Sequence, residues 1–386
     1  MSRLDPAELR REFLLDPEVA FLNHGSFGAC PRPVFESYQA WQRELEREPI
    51  DFLDRRLPTL LATARSELAR YLNAPPDDLA FVPNATTGVN LAARSLPLER
   101  GDEILTTDLE YGACDYAWEW LAARTSASYV RAPIPLPLDG PAALVEALFA
   151  HATERTRVVY VSHITSGTAL VLPVEHIVAR ARELGLVTIV DGAHAPAHVP
   201  VDVVVLGADF YAGNAHKWLM APKGAGFLHV RPEHQERVDA AIVSWGYSEG
   251  ATFQQRIEMQ GTRDPAAWLA VPDAIRYQAE RDWDAARERC RAFTREARAE
   301  LCDLLGTEPL APEEMLGQMA SVRLPRPDAG LRDRLRANHR VEIPVTGTSS
   351  DLLRISVAAY TTRDDVDRLL AALVRELDAE HAERDE

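Results

Sequence analysis

Lysine occurs twice in this 386-residue chain, at Lys217 and Lys223; the other 40 of its 42 basic residues are arginine. Both types supply positive charge, but only lysine can lose its proton and condense with a carbonyl. Lys217, in DFYAGNAHKWL (209–219), is therefore a candidate imine-forming amine. The alternative, a plain surface lysine, fits poorly with a composition that otherwise uses arginine for surface charge. Asn214 and His216, just upstream, can donate hydrogen bonds to a phosphate. Lys223 sits between Pro222 and Gly224 and reads as structural.

Three further segments carry chemistry. In PNATTGVNLAARSL (83–96), Thr86 and Thr87 open an apolar-periodic helix. A helix N-terminus presents unpaired N–H groups and positive dipole, which suits a phosphate, while threonine is equally a common N-cap. In VTIVDGAHA (187–195), Asp191 follows an apolar strand. A carboxylate there is either a turn residue or the partner of a buried cation, such as a protonated ring nitrogen. In DLLRISVAAY (351–360), Arg354 can bind a carboxylate through two parallel hydrogen bonds, or serve as one surface arginine among forty. A phosphate cradle, a ring-nitrogen partner, an imine-forming lysine and a carboxylate clamp together fit pyridoxal 5′-phosphate.

The elements that must hold these residues alternate. Segments 35–48 and 59–72 have helical apolar spacing. Segments 102–107, 158–164 and 186–194 read as strands, with another strand within 202–213 and one at 224–230. The helix 174–185 closes on Gly185. Strands separated by helices of ten to fifteen residues imply a mostly parallel sheet with helices on both faces. From about Pro265 the texture becomes long and helical (265–305). Strands at 318–325 and 352–360 and helices near 328–338 and 362–380 then suggest a smaller α+β unit.

Composition narrows the function. The net charge is −17 (42 basic against 59 acidic residues), which argues against nucleic acid or an anionic membrane as partner. Cys30, Cys114, Cys290 and Cys302 form no CxxC pair, and no His/Cys cluster has zinc spacing, so neither a metal site nor a disulfide framework is expected. The start of the chain is charged, without an apolar leader, and no run of about 18 apolar residues exists. A cytoplasmic protein is expected.

FLNHGSFGACP (21–31), NATTGVN, SHITSGTAL, IVDGAHA, DFYAGNAHKWL, GTRDP and LRISVAAYTTRDD (353–365) occur in one order along nearly the whole chain. In this the sequence resembles the class V aminotransferase family of fold-type I pyridoxal-phosphate enzymes. LNHGSFGACP, HITS and AGNAHKW are most similar to its isopenicillin N epimerase-like branch. The resemblance implies a large domain (23–265) with a mostly parallel, seven-stranded-type sheet flanked by helices. It also implies a smaller α+β domain (266–386) and an N-terminal segment (1–22) packing with the latter.

Residue by residue, the resemblance implies Lys217 as Schiff-base lysine and proton-transfer group, and Asp191 on the pyridine nitrogen. Thr86, Thr87, Asn214 and His216 fall on phosphate, Tyr111 stacked on the ring, and Ser166 and His194 near the phenolic oxygen. Arg354 falls on the substrate α-carboxylate, with Asn23 and His24 lining the substrate mouth. Thr262 would reach the phosphate of a second subunit, which implies a homodimer with shared active sites. Tyr247 or His24 is a candidate second-face acid. The sequence departs from the family's desulfurases at 335–353, which holds no cysteine where they carry a nucleophilic one. Epimerisation of an amino acid or its derivative is the expected reaction, with a C–S lyase or an aminotransferase as alternatives.

Overall fold

A computed structural model describes residues 5–347 and 349–385 of the chain. Its strands, in chain order, are β1 (Ala20–Phe21), β2 (Leu79–Val82), β3 (Glu103–Thr107), β4 (Ser128–Ala132), β5 (Thr156–Ser162) and β6 (Val187–Gly192). They continue with β7 (Phe210–Asn214), β8 (Gly226–Val230), β9 (Met319–Arg323), β10 (Val341–Glu342), β11 (Val345–Thr346) and β12 (Leu352–Ser356).

Seven of these form the main sheet, in the order β2-β8-β7-β6-β5-β3-β4. The pairs from β4 through β7 are parallel, and β8 runs antiparallel to both neighbours. The helices Gly112–Thr125, Pro141–Phe149 and Val174–Glu183 make the crossovers between parallel strands. Side chains alternate along each strand, so the sheet separates two cores. Val158, Tyr160, Ile189 and Phe210 face one, with Trp118 and Val89; Val159, Val161, Val190 and Tyr211 face the other. Strands covered on both sides explain the continuous apolar run at 158–161.

β3 pairs with β4 on one side and β5 on the other, so chain direction across the sheet reverses there. Open α/β sheets bind ligands at the carboxyl ends of strands beside such a reversal. Ser162, Asp191 and Asn214 lie at or next to the ends of β5, β6 and β7. The C-terminal part folds as a three-stranded antiparallel sheet, β11-β12-β9, backed by the long helix Trp283–Leu305. β1 pairs in parallel with β10 (Ala20↔Val341), and Ser356 donates to the Leu22 carbonyl. These bonds set Asn23 and the short helix His24–Phe27 next to β12.

Two local expectations change. Val203–Leu206, the most apolar stretch of 202–213, is a helical turn, because Asp202 caps the Val205 N–H and Gly207 ends it at φ +66°. The strand follows it, at 210–214. β2 and β4 are additional strands: β2 is only four residues long, and β4 is a largely solvent-facing edge. Among the described residues, no helix is long and apolar enough to cross a membrane.

Candidate active site

Adjacent strands bring the chemistry together. Asp191 on β6 is paired in register with Ser162 of β5 and Ala212 of β7. Lys217 follows three residues after β7. Both line a cavity of about 320 Å³, together with Thr86, Tyr111, Ser166, His194, Asn214 and His216. Eight of the residues singled out in the sequence therefore share one space.

Asp191 is 4% exposed and makes no ion pair among the described residues. Its Oδ1 accepts from the Ala193 N–H at 2.8 Å; Oδ2 faces the Tyr160 hydroxyl (3.5 Å) and Cys114 Sγ (3.6 Å). Burial pushes its pKa up, against the pull of the Ala193 N–H and the Lys217 charge. Lys217 Nζ lies 3.1 Å from His194 Nε2. Desolvation brings the amine down to about 8, assisted by the Arg354 charge and opposed by Asp191. His194 is held well below the ordinary imidazole range by burial and by the nearby Lys217 and Arg354 charges, so it is neutral.

Arg354 is 2% exposed and likewise makes no ion pair with a carboxylate among the described residues. Its Nη1 donates to the Ser166 carbonyl (2.7 Å) and hydroxyl (3.2 Å), and its Nη2 to Ser26 Oγ (2.9 Å). Burial lowers it to about 10. A buried guanidinium held only by neutral acceptors is poised for an incoming anion.

The helix Ala85–Arg94 points its N-terminus at the cavity. Its cap is Asn84, whose Oδ1 accepts from both the Thr87 N–H (2.8 Å) and the Thr87 hydroxyl (3.1 Å). Asn214 Oδ1 accepts from the Ala85 N–H at 2.8 Å. The cradle expected of four side chains is therefore divided. Thr87 spends its hydroxyl on the cap and is not among the residues lining the cavity, and Asn214 uses its oxygen to anchor the helix. Thr86 keeps its side chain on the cavity. His216 donates from Nδ1 to the Ala225 carbonyl, and burial lowers its pKa to about 4, so its Nε2 carries no proton to donate to a phosphate.

Four residues named from the sequence, Asn23, His24, Tyr247 and Thr262, lie outside this cavity. Asn23 and His24 do not line the cavity. Asn23 donates to Glu342 Oε1 and accepts from Ser26, and His24 lies beneath the lysine. A carbonyl can only accept, so His24 Nε2–H donates to the Lys217 carbonyl (3.1 Å) and its Nδ1 accepts from the Tyr360 hydroxyl (2.8 Å). With both ring nitrogens engaged and its pKa lowered to about 3 by burial, His24 is not a second-face acid in this arrangement. Tyr247, the other candidate, donates to Asp239 at 2.9 Å and does not line this cavity. The turn His24–Phe27 instead carries Ser26 and Phe27 to the cavity wall. Thr262, expected at the phosphate of a second subunit, is exposed and lies outside this cavity.

Sequence reasoning missed Asn84, Ser26, Ser162 and Glu110. Asn84 was legible as an N-cap ahead of a helical run. The others reach the site only through tertiary contacts: Glu110 bonds Ser162 and Thr107. Cys114 is buried, with its Sγ 3.6 Å from Asp191 Oδ2.

This arrangement has relatives. The chain is 41% identical over 393 residues to an isopenicillin N epimerase of Streptomyces clavuligerus, covering 97% of this chain and 98% of that one. It is 33% identical over 375 residues to a putative L-cysteine desulfhydrase of Oryza sativa subsp. japonica, covering 89% and 78%. A solved variant of C-DES with glycine covalently linked to its pyridoxal-phosphate cofactor superposes with a TM-score of 0.81 at 22% identity, over 94% and 98% of the two chains, and shows the shared fold. The Aminotransferase class-V family model matches residues 35–369. On that match, the chain belongs to the class V aminotransferase family, whose members are pyridoxal 5′-phosphate-dependent enzymes.

Proposed function

We propose that the protein is an isopenicillin N epimerase-like enzyme that inverts the α-carbon of an amino acid or amino-acid derivative. The observation that carries this reading is a buried arginine without an acidic partner among the described residues, Arg354, bonded to Ser166 and Ser26 of the cavity that Lys217 and Asp191 also line. The 41% identity to named epimerases over nearly both full lengths supports the reaction type.

The donor set suits pyridoxal 5′-phosphate. Asp191 is a buried carboxylate with no ion-pair partner among the described residues, as suits a partner for a pyridine nitrogen. Thr86 and the N-terminus of the helix Ala85–Arg94 would take the phosphate. Tyr111 would cover a ring face, with Ser166 and His194 beside the phenolic oxygen. When bound, the cofactor supplies an electron sink that acidifies the α-C–H of an amino acid. Arg354 would hold the α-carboxylate and so aim the α-carbon. Lys217 Nζ, with its pKa lowered to about 8, would take the α-proton. Inversion further requires a proton returned from the opposite side. We also read the chain as a homodimer in which the exposed Thr262 reaches a partner's phosphate site.

An amino-acid panel incubated in D₂O and followed by NMR tests this. Deuterium at Cα with loss of optical purity is expected for at least one amino acid or derivative; exchange in none would sink the proposal. The desulfhydrase relatives favour a second reading, a C–S lyase, which releases pyruvate and sulfide in the same assay.

A further inference from the structure

Trp218 follows Lys217 directly, and its ring packs between His24 (4.8 Å between centroids) and His198 (4.2 Å). Its indole Nε1 points at His194 Nδ1 at 3.5 Å, while His194 Nε2 stands 3.1 Å from Lys217 Nζ. An indole N–H can only donate, and a neutral imidazole carries one proton on one nitrogen. If Nδ1 receives the indole N–H, the imidazole proton sits on Nε2. That N–H then faces the amine, and only an unprotonated amine has a lone pair to accept it. The opposite tautomer would set the Trp218 and His194 N–H groups against each other.

We propose that Trp218 is a positioning residue that selects the Nε2–H tautomer of His194 and thereby favours the free amine at Lys217. The consequence for catalysis rests on the function proposed above, in which a free amine is the working form of Lys217; the tautomer itself does not. The charges and titratable groups around the amine and its imidazole partner come from several elements. Asp191 (β6) and Cys114 (helix Gly112–Thr125) favour the charged amine, and Arg354 (β12) opposes it. His194 in turn faces Lys217, Arg354, His198 and His24, all of which oppose a second proton on its ring. A neutral, tautomer-selected His194 acts in the same direction as Arg354.

Having only two lysines makes the test direct. The cofactor-free full chain is labelled with limiting acetic anhydride across pH, and acetylation is read at Lys217 and Lys223 by mass spectrometry. In Trp218→Phe, which keeps an aromatic ring without the N–H, the Lys217 midpoint should rise by about one pH unit while Lys223, the internal control, stays put. An unchanged Lys217 midpoint overturns the proposal. ¹⁵N shifts of His194 in the wild-type chain, assigned by their loss in His194→Gln, decide independently should Trp218→Phe fold poorly. A pyridine-type Nδ1 supports the proposal and a pyridine-type Nε2 overturns it. If the chain does not bind pyridoxal phosphate at all, no visible absorbance develops on adding it, and both readouts remain valid.

Discussion

Lys223 Nζ donates a 3.0 Å hydrogen bond to the carbonyl of Gly28, 195 residues earlier in the chain. Gly28 has φ +70°, and a Cβ there would fall 2.2 Å from the His216 carbonyl oxygen and 2.8 Å from Lys217 Cα. The loop carrying Ser26 and Phe27 thus lies directly on the backbone of the functional lysine. The second lysine, whose retention had no chemical account in the sequence, fastens that loop.

Two substitutions should separate the bond from the close approach. Lys223→Met removes one hydrogen bond and should cost about 1 kcal/mol in urea unfolding. Gly28→Ala forces a clash and a strained φ, and should cost about 3 kcal/mol or displace the lysine loop. If Gly28→Ala is as stable as wild type, the loop does not rest on the lysine backbone as described.

Lys217 and Lys223 should also differ in cofactor chemistry. Lys217→Ala should lower turnover roughly 10³-fold or more, by removing both the condensing amine and the proton-transfer group. The visible absorbance of added pyridoxal phosphate should change with it. Lys223→Ala should keep wild-type absorbance. The reverse pattern in a simple spectrophotometric titration would assign the role to the other lysine.

Much of this site was legible in sequence because the chemistry admits few residue types. Imine formation demands lysine, and the chain has two; a partner for a ring nitrogen demands a carboxylate, and Asp191 ends an apolar strand. The clamp was legible as a residue type but not as a contact, since forty arginines are available and only packing buries Arg354. The directions of side chains were not legible. Thr86 and Thr87 are adjacent and alike, yet Thr86 lines the cavity while Thr87 is taken up by the cap at Asn84. Likewise, the helical turn after Asn23 exchanges the expected His24 for Ser26 and Phe27 at the wall.

Arg354 should act on binding. Its guanidinium is already fixed by Ser166 and Ser26, so little reorganisation remains when a carboxylate arrives. Arg354→Lys keeps a charge but loses the planar fork. Steady-state kinetics should show KM raised roughly 30-fold, about 2 kcal/mol, with a smaller effect on kcat. An equal fall in kcat with KM unchanged would assign Arg354 to a later step.

Stability should have an acid limb set by histidines. His24, His163 and His198 are buried, and burial lowers them to about 3, 4 and 3 from an ordinary 6.5. Below pH 6.5 the unfolded chain takes up protons that the folded chain refuses. Their stabilising contribution is therefore complete above 6.5 and is lost as pH falls toward 4, by at most about 1.4 kcal/mol per pH unit for each group. Urea unfolding from pH 7 to pH 4.5 should show this decline, and His163→Gln should make it shallower. A flat profile would mean these imidazoles protonate in the folded state.

Glu110 should set the opposite limb. Its Oε1 accepts from the Thr107 hydroxyl at 2.7 Å, and its Oε2 accepts from the Ser162 N–H at 2.8 Å and the Ser162 hydroxyl at 2.6 Å. Burial pushes it up to about 8 from an ordinary 4.5; Asp191 adds to the rise, and the Ser162 and Thr107 donors oppose it. Between those values the folded chain holds a proton that the unfolded chain releases. The contribution is thus fully present below pH 4.5 and is lost as pH rises through 8, at most about 1.4 kcal/mol per pH unit. Glu110→Gln is uncharged at every pH and keeps an oxygen for Ser162, so its stability relative to the wild type's should rise steadily between pH 5 and pH 8. Glu110 precedes the cavity-lining Tyr111 and ties it to the end of β5, and the same variant should leave the histidine-dependent acid limb of stability intact. If unfolding in urea at pH 5, 6, 7 and 8 gives parallel profiles for the two proteins, Glu110 is ionised throughout, and the donors around it outweigh its burial.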